Sequence, residues 1–476
     1  MEHLDVVIVG AGLSGIGMAW HLQDRCPGKR YAILEAREAS GGTWDLFRYP
    51  GVRSDSDMQT LGYRFKPWTG SKALADGPSI LSYVRETAVE HGIDEHIRYG
   101  HRVVRAGWST PDARWTVHVK GREPLSCDVL LMCSGYYRYD EGFTPRFEGR
   151  EDFRGEIVHP QFWPEDFDYA GKRIVVIGSG ATAVTLVPAL ARSGAGHVTM
   201  LQRSPSYILA LPDEDAIANA LRRRLGDRPA YAIVRWKNVV IATLLYQLSQ
   251  RFPRPMRRLY RAGAVRQLPA GYAVDAHFNP RYDPWDQRLC LVPNGDLFEA
   301  LSAGDAEIVT AEIDRFTERG VRLRDGSELE ADVIVTATGL NLLVFGGAEI
   351  AVDGREVDLP DTMAYKSMML SDVPNMVFTI GYTNISWTLK ADLVAEYACR
   401  LINHMDAHGH RYAVPVRDPS VDERPFLEFE PGYVLRSIDR LPRQGSRAPW
   451  RLSMSYIIDV GKIRHGRVDD GVLKFA

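Results

Sequence analysis

The sequence predicts an α/β fold of two similar strand–turn–helix units that carries a mainly helical insert. Three observations predict it. A glycine-rich turn follows the apolar run Asp5-Val6-Val7-Ile8-Val9, a second such turn follows Arg173-Ile174-Val175-Val176-Ile177, and residues 211–284 form a basic, partly amphipathic stretch. A length of 476 residues gives room for two to four domains of ordinary size, roughly 100–200 residues each. Hydrophobic residues at 45% and charged ones at 25% are those of a folded globular chain. The net charge of -3 supplies no positive field, so a nucleic-acid partner is not expected.

In the first unit Gly10-Ala11-Gly12-Leu13-Ser14-Gly15 leads into a helical pattern through Trp20, His21 and Leu22. Gly10 permits the tight turn, Gly12 lets backbone approach a pyrophosphate, and Gly15 lets helix and strand pack closely. The helix N-terminus adds free N–H groups and a positive dipole end for the anion. The next strand, Tyr31-Ala32-Ile33-Leu34, ends in Glu35, twenty residues beyond Gly15, where a carboxylate accepts hydrogen bonds from an unphosphorylated ribose. This order of strand, turn, helix and acid is that of a Rossmann-like dinucleotide-binding domain.

The second copy reads Gly178-Ser179-Gly180-Ala181-Thr182-Ala183, with alanine at the third position, an accepted variant. After the strand His197-Val198-Thr199-Met200-Leu201 comes Gln202-Arg203-Ser204, which places an arginine where the first unit has its acid. Arg203 suits a 2′-phosphate, so this site is expected to prefer NADP(H) to NAD(H). Two such turns in one polypeptide point to a bound flavin and its reductant, with FAD in the acidic first site. Two apolar runs, Cys127 to Gly135 and Glu330 to Gly339, read as the strands that close each half.

Two longer patterns narrow the reading. Between the units lies Phe153-Arg154-Gly155-Glu156-Ile157-Val158-His159-Pro160-Gln161-Phe162-Trp163-Pro164, or F-x-G-x-x-x-H-x-x-x-W-P. After Glu35 comes Gly41-Gly42-Thr43-Trp44 with Tyr49-Pro50-Gly51 and Asp55, or G-G-x-W-x-x-x-x-Y-P-G-x-x-x-D. Together they resemble the fingerprints of the Baeyer–Villiger monooxygenases of the flavin-containing monooxygenase superfamily. The runs W-D-L-F-R-Y-P-G-x-R-S-D-S-D, C-S-G-Y-Y and P-W-D-Q-R-L-C-L-V-P-N-G-D-L-F resemble the ethionamide-activating subgroup, over essentially the whole chain.

The resemblance implies an enzyme that uses FAD, NADPH and O2 to convert ketones to esters or lactones through a C4a-peroxyflavin, and that also oxidises sulfur in thioethers or thioamides. The candidates for FAD are Gly10, Gly12, Ser14, Gly15, Glu35, Gly42, Thr43, Trp44, Arg53, Ser54, Asp55 and Val103. Those for NADP are Gly178, Ser179, Gly180, Ala181, Thr182, Ala183, Val184, Thr185, Arg203 and Ser204. Arg288 is the implied catalytic arginine, able to stabilise an oxyanion, with Asp55 orienting it. One departure is Gln287, where many members carry lysine before the arginine; it removes a cationic contact to the cofactor. No metal site is expected. His159 is expected to couple the two units and Trp163 to anchor that joint in the core through a hydrogen-bonded indole.

An alternative is an NADPH-dependent flavoprotein reductase or oxidase without oxygen insertion. A dithiol reductase would need paired cysteines, and Cys26, Cys127, Cys133, Cys290 and Cys399 have no C-x-x-C spacing; they fit a reducing cytoplasm. Glu2 and Asp5 precede the first strand, so an export signal is not expected. Trp387 and Met368, in the C-terminal third, read as ordinary core residues. The expected division is an FAD domain of residues 1–145 and 340–476, an NADP domain of 146–210 and 285–339, and a helical insert of 211–284, both nucleotide domains having parallel sheets. The insert holds 13 Arg+Lys against 6 Asp+Glu and suits either a solvated helical surface or peripheral contact with anionic lipid.

Overall fold

The computed structural model describes residues 1–287, 289–428 and 431–476. Strand β1 (Glu2–Val9), helix α1 (Leu13–Arg25) and strand β2 (Tyr31–Leu34) come in the expected order, with β1 and β2 parallel. Both faces of β1 are covered: Val6, Val7 and Ile8 are fully buried, which is why the run is continuously apolar and does not alternate. Short helices α2 (Thr43–Leu46) and α3 (Met58–Leu61) follow, then α4 (Gly77–Glu90), which starts where the Asp76 side chain accepts the Ser79 N–H.

Strands β3 (Ile97–Arg98), β4 (Val103–Ser109), β5 (Arg114–Val119) and β6 (Leu125–Met132) extend the first sheet. The expectation of a parallel sheet is corrected here, because β4–β5 and β5–β6 pair antiparallel. Loop length is the reason. Residues 110–113 and 120–124 are too few for the crossover that parallel neighbours need. Strand β6 then returns parallel to β1.

Strand β7 (Tyr137–Gly142) leaves that sheet, and β8 (Glu156–Val158), β9 (Arg173–Ile177), α5 (Ala181–Arg192) and β10 (His197–Gln202) build the second unit. After β11 (Ile208–Leu211) come the helices α6 (Ala216–Leu225), α7 (Asp227–Arg251), α8 (Pro253–Gln267) and α9 (Val274–His277). Strand β12 (Cys290–Pro293) pairs with β11, and α10 (Asp296–Ala303) leads to β13 (Ala306–Thr310). A small antiparallel sheet of β14 (Ile313–Thr317), β15 (Gly320–Leu323) and β16 (Glu328–Glu330) precedes β17 (Val333–Thr336). The second sheet runs β13-β10-β9-β17-β8 with every pair parallel.

The chain returns through β18 (Leu340–Leu342), antiparallel to β7, and rejoins the first sheet as β19 (Glu349–Val352) and β20 (Arg355–Glu356). A strand at Met376–Phe378 pairs with β6 in parallel. Helix α11 (Trp387–His408) lies against α1, with Leu389, Leu393 and Tyr397 fully buried. Met368 is fully buried as well, as expected of a core residue.

Candidate active site

A cleft of about 470 Å³ is walled by residues of both glycine turns. From the first unit it takes Gly10, Gly12, Ser14, Glu35, Gly42, Thr43 and Trp44, and further along Arg53, Ser54, Asp55 and Val103; from the second it takes Ala181, Thr182 and Thr185. Sequence motifs more than a hundred residues apart therefore face one space.

The first turn is built as its glycines require. Gly10 has φ +103°, and a Cβ there would stand 2.7 Å from the Cys133 carbonyl oxygen on the neighbouring strand. A Cβ on Gly15 would stand 1.9 Å from the Gly10 carbonyl oxygen, so only glycine lets α1 approach β1 this closely. Gly12 is the N-cap of α1 and no side chain of the described residues caps the helix, which leaves first-turn N–H groups open to an anion. Glu35 is buried; its carboxylate accepts the Ala11 N–H at 2.8 Å and the Arg37 N–H at 2.9 Å, and burial raises its pKa above the usual carboxylate range. Each oxygen keeps a further lone pair for a ribose hydroxyl.

Around this turn Thr43 Oγ1 meets the Tyr139 hydroxyl at 3.1 Å, and Ser54 Oγ donates to the Ser56 carbonyl at 2.8 Å. The Ser14 hydroxyl accepts the Trp387 indole N–H at 2.8 Å. Trp387 is therefore not the core residue expected: it is half-buried on the cleft wall, its ring 5.1 Å from that of Tyr136. Arg53 borders the cleft, but its guanidinium is held by Asp296, with Nη1–Oδ2 at 2.6 Å and Nη2–Oδ1 at 3.3 Å.

The second turn repeats the pattern. Gly178 has φ +140° and its Cβ would meet the Ala337 carbonyl oxygen at 2.3 Å, whereas a Cβ on Gly180 would meet nothing within 4 Å. Gly180 is the N-cap of α5 with no side-chain cap, so packing among the described residues gives no reason for glycine there, and the open turn leaves room for close approach of a ligand. Ser179 Oγ bonds the Ser204 carbonyl at 3.2 Å and Ser206 Oγ at 2.9 Å, which ties the turn to the segment after β10. Arg203 and Ser204 are exposed there, and among the described residues no carboxylate lies within ion-pair distance of Arg203. Ala183 and Val184 turn into the core, and the Val184 N–H is already taken by the Gly180 carbonyl. Their side chains serve helix packing.

Arg288 lies outside the described residues. His159 does sit at a joint: Nε2 lies 3.3 Å from the Gly339 carbonyl, Nδ1 accepts the Gln161 N–H at 3.2 Å, and a Cβ on Gly142 would meet the ring at 2.2 Å. It packs where the two chain crossings, β7 and β18, run side by side. Trp163 is half-buried and packs with Phe167 and Tyr169 against the core of the second unit, but the hydrogen bond expected of its indole is not formed among the described residues. All five cysteines are buried, and Cys133 is the one that lines the cleft.

Several contacts at and around the site had no local signal in the sequence. Asp45 is buried and gathers Arg37 at 2.7 Å, Arg85 at 2.7 Å and Arg48 at 3.5 Å. Tyr49 is buried and lines the cleft, and burial pushes its phenol up to about 12. Tyr382, also on the wall, donates to Asp459 at 2.7 Å, and the buried Lys390 donates to the same oxygen at 2.8 Å.

Two dinucleotide turns opening on one cleft define a two-nucleotide α/β protein. Residues 8–68 match the NAD(P)-binding Rossmann-like domain and residues 75–359 match the flavin-binding monooxygenase-like family. The chain is 63% identical over 479 residues to the FAD-containing monooxygenase EthA of Mycobacterium tuberculosis, covering 100% of this chain and 98% of that one. It is 56% identical over 478 residues to EthA of Mycolicibacterium smegmatis, covering 100% and 97%. The solved structure of oxidised steroid monooxygenase bound to NADP superposes with a TM-score of 0.76 at 23% identity over 99% of each chain, a likeness of fold. The chain belongs to the flavin-binding monooxygenase-like family and is a flavin-dependent monooxygenase.

Proposed function

We propose that this protein is an FAD-containing Baeyer–Villiger monooxygenase that uses NADPH and O2 to turn apolar ketones into esters or lactones and to oxidise sulfur in thioethers or thioamides. One observation carries the reading: two glycine turns, uncapped among the described residues, one beside an acid and one beside the exposed Arg203, meet at a single cleft. The residues fit the two nucleotides. Gly10, Gly12, Ser14 and Glu35 would hold FAD, and Gly180 with Arg203 would hold the pyrophosphate and 2′-phosphate of NADPH. Residues 1–145 and 340–476 form the FAD domain in this reading, 146–210 and 285–339 the NADP domain.

Bound FAD, once reduced by NADPH, supplies the activated oxygen. Leu61, Leu291, Leu343 and Phe345 give the cleft apolar wall, which suits apolar substrates and limits water. Asp55 borders the same space, and its role is to orient Arg288, whose guanidinium would stabilise the oxyanion that forms at the substrate carbonyl. The basic insert gives the enzyme a peripheral contact with membrane.

The test is turnover of FAD-loaded protein with NADPH in air on linear, cyclic and aryl ketones and one thioether. Esters, lactones and a sulfoxide are expected. NADPH oxidation that gives hydrogen peroxide alone would assign the protein to the reductase or oxidase class. Arg288→Ala is expected to keep FAD and accept hydride while losing ester formation.

A further inference from the structure

We infer that α7 carries a seat for an anionic lipid surface. This deepens the membrane contact proposed above and stands apart from the oxygenation chemistry, so vesicle binding and ester formation fail independently. One face of α7 is fixed on the protein: Arg235 is buried and donates to the carbonyls of Gln59 at 2.8 Å and Gly62 at 2.7 Å and to Asp392 at 3.1 Å. The helix cannot roll without breaking these bonds. Its opposite face presents Ile233, Trp236, Val240, Ile241, Leu244 and Leu248, each 42–55% exposed. That row follows helical spacing over about 22 Å. The ring of Trp236 lies 5.8 Å from Tyr456, whose neighbours Ile457 and Ile458 are exposed and widen the patch.

Charge decides what covers it. Arg223, Arg224 and Arg228 are exposed at one end of the row, and Arg251, Arg254 and Arg258 at the other. Their neighbours Arg222, Arg257 and Arg261 pair with Asp227, Asp283 and Asp275. Among the described residues the six face no carboxylate within ion-pair distance. An apolar strip between two clusters of unpaired arginine matches acyl chains flanked by anionic headgroups. A second copy matches it poorly, because helices paired along this row in either direction set arginines against arginines. No described helix is long and apolar enough to cross a membrane, so the seat lies on the bilayer surface.

The experiment is co-sedimentation of the full-length, FAD-loaded protein with vesicles of phosphatidylglycerol and phosphatidylcholine, or of phosphatidylcholine alone, at low and high salt. Binding is expected on the anionic vesicles and should weaken with salt. The double change Ile241→Asp and Leu244→Asp should lower it by about tenfold or more, and so should Arg251→Glu, Arg254→Glu and Arg258→Glu together. FAD content and circular dichroism, unchanged for these exposed positions, show that the variants are folded. Wild-type protein that stays in the supernatant with both vesicles overturns the inference, as does undiminished binding of folded variants. A dimer in analytical ultracentrifugation that Leu244→Asp dissociates, without vesicle binding, would give the face to a second copy.

Discussion

Arg53, in the loop after the G-G-x-W pattern, grips Asp296 at the start of α10 in a forked pair of 2.6 and 3.3 Å. Arg192 of α5 reaches the same carboxylate at 3.1 Å. Arg53 borders the cleft, so this pair ties the cleft wall to α10, and both Arg53 and Asp296 are largely shielded from water. Removing the carboxylate leaves Arg53 buried without its counter-charge. Asp296→Asn is therefore expected to cost about 3 kcal/mol of stability, read as a lowered midpoint in urea. A loss within about 0.5 kcal/mol would rank the pair with ordinary surface bridges.

Arg203 stands exposed beside the second turn. Arg203→Ala should raise KM for NADPH about tenfold or more and leave KM for NADH almost unchanged, since only the first carries a 2′-phosphate. Steady-state kinetics with both nucleotides decides it, and equal changes would remove Arg203 from phosphate recognition.

The two turns should respond differently to a methyl group. Gly15→Ala drives a Cβ to within 1.9 Å of the Gly10 carbonyl oxygen, so backbone must shift. Lost FAD and a lowered melting temperature are expected. Gly180→Ala meets no atom of the described residues within 4 Å, so the variant should fold, keep FAD and melt normally, yet bind NADP+ about tenfold or more weakly. Titration calorimetry with NADP+ reads the second effect, and unaltered affinity would refute close backbone approach at Gly180.

His159 gives a pH dependence at the joint. Burial holds its pKa below the ordinary 6.5, against hydrogen bonds to Gly339 and Phe143 that raise it. The folded state thus resists the proton that the unfolded chain accepts. Its contribution to stability is complete above about pH 6.5 and is lost as pH falls through that value toward the folded pKa. His91, His277 and His404 are shifted the same way, so the informative quantity is the difference between wild type and His159→Asn. Urea unfolding between about pH 7 and pH 5 should show a shallower loss in the variant. Parallel curves would contradict this assignment.

How far the sequence carried depends on the range of each interaction. Strand, turn and helix at residues 5–25 and 173–192 are local, so spacing alone placed them, down to the need for glycine at Gly10 and Gly178. The hairpins of β4 to β6 were also readable in principle, from loops too short for a crossover. Other features depend on partners distant in sequence. Nothing near Trp387 announces its bond to Ser14, and nothing near Arg53 announces Asp296. Trp163 packs against the core as its place in the fingerprint implies, but the hydrogen bond expected of its indole is replaced by edge contacts with Phe167 and Tyr169, which pattern alone does not announce. The basic character of the insert was legible by composition, but which face of α7 stays bare required the anchor at Arg235.

The central claim is oxygen insertion at a cleft fed by both nucleotides. Turnover of a cyclic ketone by the FAD-loaded protein under labelled O2, with NADPH consumption and product mass followed together, tests it most directly. One labelled oxygen atom in the lactone for each NADPH oxidised is the predicted result. NADPH oxidation that releases labelled hydrogen peroxide and leaves the ketone unchanged would contradict it.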